Sequence, residues 1–201
     1  MAIAYESRVP ATYRTAFVEK VKQIASRLGI NPDWLMIVMK FETAGTFSPS
    51  IQNAGSKAVG LIQFIESTAT DLGTTPAKLR AMTAVQQLDY VEKYLTRYKA
   101  KFANVYDVYL AVFAPAFLGK PDSQIVYSKS STSALGKQRY ELNKALDTNK
   151  DGNITIWEIK QVLKTHIPLD TDSGVSPENK VLPFLAIVFL SFFVFNSSKN
   201  V

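Results

Sequence analysis

Apolar residues recur along the first half of the chain at intervals of three and four, the spacing of one helix face. Phe17, Val21, Ile24, Ala25 and Leu28 define such a face over residues 12–28, and Gly29 stops it. Asn31-Pro32-Asp33 then offers a helix start, with Asn31 as N-cap and Pro32 in the first turn, where its missing N–H costs nothing. That helix carries Leu35, Val38, Met39 and Phe41 and is expected to end between Glu42 and Gly45. Residues 43–58 are rich in Gly, Ser, Asn, Pro and Thr and read as loop, followed by a short apolar run over 59–65. Thr75-Pro76 opens another helix, and Leu88, Val91 and Leu95 mark one over 85–98. Residues 106–117 are apolar and aromatic enough to run through the core. No alternating pattern of strand length appears, so the fold is expected to be mainly α.

A change of character near residue 134 divides the chain. Residues 11–133 form the main helical domain, 134–166 a second unit, and the polar, turn-rich stretch 167–180 a linker. Residues 181–195 (VLPFLAIVFLSFFVF) are uncharged between Lys180 and Lys199. This run is shorter than the ~20 residues of a comfortable membrane span. Its apolar character all round still favours a C-terminal hydrophobic helix serving as membrane anchor over a docked helix, which would keep a polar face.

Composition narrows the classes further. At 201 residues, with 47% hydrophobic and 20% charged side chains, the chain suits a globular domain with an appendage. Cysteine is absent, which removes disulfide frameworks and thiolate chemistry. The net charge is +6 and the pI near 9.4, but Lys and Arg are scattered, and no nucleic-acid partner is expected. The N-terminus lacks a basic stretch followed by an apolar one, so a cleaved signal peptide is not expected.

Glu42 is the first candidate for chemistry. It stands where an apolar helix meets a polar, glycine-containing loop, and a carboxyl at the edge of an apolar core has its charged form disfavoured. Such a group stays protonated near neutral pH, as a general acid for glycosidic cleavage must. Glu42-Thr43, Phe47-Ser48-Pro49, Asn53, Ser56, Ala58 and Gly60-Leu61-Ile62-Gln63-Phe64 follow in an order and spacing that resembles the signature of the lytic transglycosylase and goose-type lysozyme family. The resemblance covers roughly residues 15–120 and implies a lysozyme-like helical domain. It implies that Glu42 protonates the oxygen between N-acetylmuramic acid (MurNAc) and N-acetylglucosamine (GlcNAc). It implies further that Thr43 orients that carboxyl or touches the glycan, that Ser56 and Gln63 face the saccharide, and that Gly60 lets backbone approach the sugar. Phe47, Leu61 and Phe64 are read as core. Two departures stand out: Glu66 follows the Gly-Leu-Ile-Gln-Phe element where the family often has Pro, and Tyr109-Leu110-Ala111 stands where it often has Ala-Tyr-Asn. The aromatic role there falls to Tyr109 or Tyr106, with Tyr109 counted among the substrate-binding residues.

An inverting hydrolase needs a second carboxylate and a retaining one a nucleophile. Glu66, Asp71, Asp89 and Asp107 are the acids available, and none is singled out by the pattern. The family's transglycosylase chemistry needs one glutamate, so cleavage with formation of a 1,6-anhydro ring is favoured over a true hydrolase or a non-catalytic wall-binding or virion protein of the same fold.

Residues 147–158 match a twelve-residue EF-hand loop. Asp147, Asn149 and Asp151 offer side-chain oxygens, Gly152 the sharp turn, Asn153 its carbonyl, Thr155 a direct or water-mediated contact and Glu158 a bidentate close. With no second loop to pair with, Ca2+ is expected to clamp an EF-hand-type helical hairpin rather than act as a sensor. His166, the only histidine, is read as a helix C-terminal cap. A wall-cleaving chain with no signal peptide and an apolar tail suits a bacteriophage product, membrane-associated through its C-terminus and acting from the virion or in the host cell envelope.

Overall fold

The structure, a computed structural model, describes residues 2–169 and 171. Helix α1 (Arg14–Leu28) buries Phe17, Val21, Ile24, Ala25 and Leu28, the face read from the sequence, and ends where Gly29 takes a φ of 71°. Helix α2 (Pro32–Glu42) is capped by Asn31, whose side chain accepts the Asp33 N–H at 2.9 Å. Short α3 (Glu66–Asp71) and α4 (Pro76–Ala81) follow the long loop. Helices α5 (Ala84–Leu95) and α6 (Val105–Phe113) each open with a reciprocal capping box, Thr83 with Gln86 and Asn104 with Asp107.

Helix α6 is the axis of the fold. All its residues except Asp107 are buried, and it packs on both α2 and α5. The helix expected over 106–117 stops at Phe113. Pro115 has no N–H to continue the ladder, so Ala114 leaves helical geometry (φ −148°) and residues 115–117 close a 3-10 turn.

The sequence pattern missed a small sheet. Strand β1 (Ile125–Ser128) pairs antiparallel with β2 (Asn153–Thr155), matching Ile125 with Thr155, Tyr127 with Ile154 and Ser128 with Asn153, with an irregularity between Ile125 and Tyr127. Strands of four and three residues are too short to show alternation. Strand β1 lies before residue 133 and β2 within residues 147–158, so the pairing joins the stretches on either side of that position. Helices α7 (Ala134–Asn143) and α8 (Ile156–Lys164) complete this unit. Val126, Tyr140, Leu146, Ile154, Ile156, Ile159 and Leu163 join the same hydrophobic core as α1, α2 and α6. The second unit is therefore built onto the first through shared apolar burial, which contributes about 1.5–3 kcal/mol per large side chain.

Among the described residues no helix is long and apolar enough to cross a membrane. The anchor expected over residues 181–195 and most of the linker expected over 167–180 lie outside the described residues.

Candidate active site

Glu42 is the last residue of α2 and is only 5% exposed. The turn after it is held by its neighbour. Thr43, fully buried, donates its hydroxyl to the Met39 carbonyl at 2.7 Å and accepts the Phe47 N–H at 3.0 Å. These bonds hold the turn beside Glu42. The backbone reverses through positive φ at Ala44 (49°), Gly45 (79°) and Phe47 (50°). Such geometry costs a non-glycine residue about 1–2 kcal/mol. At Phe47 that cost is offset by complete burial, an edge contact with the Phe17 ring at 5.9 Å, and the Tyr13 hydroxyl donated to its carbonyl at 3.1 Å.

An aromatic chain passes along the helix that ends in Glu42. Phe41 meets Tyr109 edge-on at 5.1 Å, Tyr109 stacks on Phe113 at 5.6 Å, and Phe113 meets Tyr127 of β1 at 6.0 Å. Burial pushes the Tyr109 phenol well above its usual range, and the nearby Glu42 and Tyr127 add to the shift. Tyr109 thus lies within electrostatic reach of Glu42 and is 2% exposed. Burial likewise carries Tyr127 up to about 12, opposed in part by Arg139 of α7.

On another side of Phe41 lies His166, with ring centres 4.8 Å apart. Its Nδ1 sits 2.7 Å from Lys40 Nζ, and its carbonyl accepts the Tyr5 hydroxyl at 2.6 Å. Burial, then the Lys40 charge, lowers the imidazole to about 4, while burial and Arg8 lower Lys40. His166 is thus a neutral clasp joining both ends of the described chain to α2, not the helix cap that its position suggested.

The loop over 51–64 is built around two buried amides. Asn53 Oδ1 accepts the N–H groups of Gly55 and Ser56, and the Ser56 hydroxyl accepts the Ala58 N–H at 3.2 Å. Val59 and Phe64 exchange backbone hydrogen bonds across a tight turn, with Gln63 at φ 51° and its Nε2 donating to the Gly60 carbonyl at 3.1 Å. Gln63, 6% exposed, edges a small pocket shared with Ile62, Phe64, Ile65, Thr68, Tyr94 and Val112. A Cβ on Gly60 would fall 2.6 Å from Gln87 Cδ. What approaches Gly60 closely within the protein is the Gln87 amide. Gln87, fully buried, accepts the Leu61 N–H at 2.7 Å and donates to the carbonyls of Pro49 (3.0 Å) and Leu79 (2.9 Å). Gln87 escaped the sequence pattern, although a polar residue on the buried Ala84-Gln87-Leu88-Val91 stripe was the visible signal.

The other acids are occupied elsewhere. Asp89 pairs with Lys20 at 2.7 Å, Asp107 caps α6, and Glu66 and Asp71 are exposed. Among the described residues the other buried carboxylates are Asp147, in the loop between α7 and α8, and Glu158, in the first turn of α8. There Asp147 accepts N–H bonds from Asp151 (3.1 Å) and Gly152 (2.9 Å) and the Tyr140 hydroxyl (2.6 Å). Burial would raise its carboxyl, but these bonds outweigh burial and hold it below its usual value. Asn149 Oδ1 accepts the Asp151 N–H at 2.9 Å, and Asp151 Oδ1 accepts the Asn153 N–H at 2.7 Å. Glu158 spans the loop, accepting Thr148 N–H on one oxygen and Thr155 N–H on the other, each at 2.9 Å. Gly152 has the expected turn geometry, φ 87°. Among the described residues no group of three or more His, Cys, Asp or Glu side chains is gathered so as to hold a metal ion.

Neither curated proteins nor solved structures yield a match to this chain. Residues 19–115, from within α1 to the end of the core helix α6, match the family model described as "Transglycosylase SLT domain", which supports a lytic-transglycosylase-type, lysozyme-like, peptidoglycan-cleaving domain at the level of the family.

Proposed function

We propose that the chain is a lytic transglycosylase that cleaves the MurNAc-β-1,4-GlcNAc bond of peptidoglycan with Glu42 as its one acid and base. The observation that carries this is Glu42 itself. It is buried at the end of α2 beside Tyr109, inside the segment that matches the transglycosylase family, and every other carboxylate of that segment is exposed, ion-paired or engaged with backbone N–H groups, as Asp33 is with Ala4 and Asp107 at the start of α6. Enclosure favours the neutral carboxyl, the form that donates a proton to the glycosidic oxygen. As the C1–O bond breaks, the leaving GlcNAc takes that proton. The resulting carboxylate then removes the proton of the MurNAc C6 hydroxyl, whose oxygen bonds to C1 and closes a 1,6-anhydro ring. No water is consumed and no second carboxylate is required. Mass spectrometry of digested wall tests this. Muropeptides should end in 1,6-anhydro-MurNAc, and exclusively reducing ends would indicate a hydrolase instead.

Two further parts complete the proposal. The donor set of the 147–158 loop is all oxygen, which suits Ca2+ chemically, and Asp147 already accepts the N–H bonds that shape the loop. Asp147, Asn149, Asp151, the Asn153 carbonyl and Glu158 would hold the ion, which would supply a structural clamp on α7 and α8. The uncharged run 181–195 would attach the protein to a membrane, consistent with a phage-encoded enzyme working at the host envelope.

A further inference from the structure

We infer that Arg8 and Lys40, beside the turn that follows Glu42, form a cationic seat for a free carboxylate of the peptide stem that MurNAc carries in peptidoglycan, a role that rests on the chain cleaving peptidoglycan at Glu42. Arg8 closes the short 3-10 turn Glu6–Arg8, ahead of the family-matched segment that begins at residue 19. It is exposed, and its side chain lies against the loop: a Cβ on Gly45 would stand 3.8 Å from both Arg8 Cδ and Arg8 Nη1. Lys40, half-buried in the last turn of α2, extends over the Tyr5 ring at 5.1 Å, with His166 Nδ1 2.7 Å from its Nζ. The turn ties the two cations to one place, because the Gly45 N–H donates to the Lys40 carbonyl at 2.7 Å.

Two positive charges are thus held close together without an acid between them. Burial, then the Arg8 charge, lowers the Lys40 amine. Among the described residues neither cation takes part in a salt bridge. The acids nearest to Arg8 and α2 in the N-terminal segment are turned elsewhere: Glu6 accepts the Ile3 N–H at 3.1 Å and Asp33 the Ala4 N–H at 2.7 Å. His166, kept neutral by burial, brings no negative charge. Lys40 has a structural use, since a cation suits the negative end of α2. Arg8 lies outside that helix and adds a second charge that the fold does not need. Its planar fork is the side chain best shaped to take a carboxylate on two N–H groups.

Reach decides which anion fits. Gly45 stands three residues past Glu42, at most about 11 Å from it Cα to Cα. The MurNAc unit cleaved at Glu42 bears its peptide on the lactyl group, and an extended peptide covers that span in three to four residues at ~3.3–3.6 Å each. A stem is therefore long enough to bring a free carboxylate to Arg8 and Lys40 while the glycosidic oxygen is at Glu42. The contact reads a part of the substrate that the glycan alone does not offer.

The test compares glycan strands that carry their stems with strands stripped of them by an amidase, and its readout is the ratio of kcat/KM on the two. Arg8→Gln removes one charge from an exposed side chain and should lower that ratio about tenfold, the worth of one charge-assisted contact. Arg8→Lys keeps the charge and should stay nearer wild type. Converting the stem carboxylates to carboxamides should lower the wild-type ratio as Arg8→Gln does. An unmoved ratio in folded Arg8→Gln, an equal fall in Arg8→Lys, or an undiminished wild-type ratio on amidated stems would each overturn the inference. A loss confined to walls that carry phosphate polymers would assign the seat to phosphate and overturn it equally. Equilibrium binding of stem-bearing strands to Glu42→Gln, with and without Arg8→Gln, reads the same contact without turnover and should weaken about tenfold. Failure of the proposed reaction and failure of this contact are thereby told apart.

Discussion

Replacing Gly60 with alanine probes whether the turn before Gln63 is shaped by the protein's own interior. Gly60 has φ 79°, where a Cβ costs about 1–2 kcal/mol. The added methyl would also displace the Gln87 amide, which makes hydrogen bonds to Leu61, Pro49 and Leu79. Leaving one or two such buried groups unmatched costs about 1–3 kcal/mol each. The expected total is about 3–5 kcal/mol, a large part of the ~5–15 kcal/mol that stabilises an ordinary domain. For a chain of this size the thermal midpoint should drop by about 10–15 °C. Urea unfolding of Gly60→Ala, Gln87→Ala and the double variant measures the coupling. With Gln87 truncated, the alanine at position 60 should cost only its backbone strain, giving a coupling of about 2 kcal/mol. Additive single effects would refute the reasoning and return Gly60 to a direct role at the substrate.

Three other outcomes follow from the same geometry. Thr43→Val should lower kcat about tenfold or more while Thr43→Ser stays near wild type, since serine keeps and valine loses the hydroxyl that bonds Met39 and Phe47 at the end of α2; steady-state kinetics on wall fragments decides. His166 titrates near 4 when folded against 6.5 when unfolded, so the unfolded chain binds more protons between those values. Stability should therefore fall as pH drops from about 7 to 4, by about 2–3 kcal/mol at most because the ring is only partly buried, and His166→Asn should flatten that part of the denaturation profile. Calorimetry at millimolar Ca2+ should show one ion bound per chain with a raised thermal midpoint, both abolished in Asp151→Ala; no heat of binding in wild type would remove the calcium site.

Much of the helical frame was legible because its signals are local. The caps at Asn31 and Thr75, the stop at Gly29 and the buried face of α1 depend on residues only a few positions apart. Glu42 was legible because an apolar helix running into a glycine-containing loop announces a carboxyl at a core edge. What surrounds Glu42 was not. Tyr127 reaches the neighbourhood of Tyr109 from a two-stranded sheet too short to leave a pattern, and His166 reaches Phe41 from beyond α8. Gly60 was assigned to sugar because its permissive backbone is visible in the sequence, while the Gln87 amide that fills the space beside it is brought there only by the packing of α5.

The central claim is that Glu42 is the acid, and clearing of purified peptidoglycan by wild type and Glu42→Gln tests it most directly. The amide is close in shape but has no proton of suitable acidity to give. The account predicts that folded Glu42→Gln, with an unchanged circular dichroism spectrum, loses at least about a thousandfold in clearing rate. Equal clearing by the two proteins would contradict it.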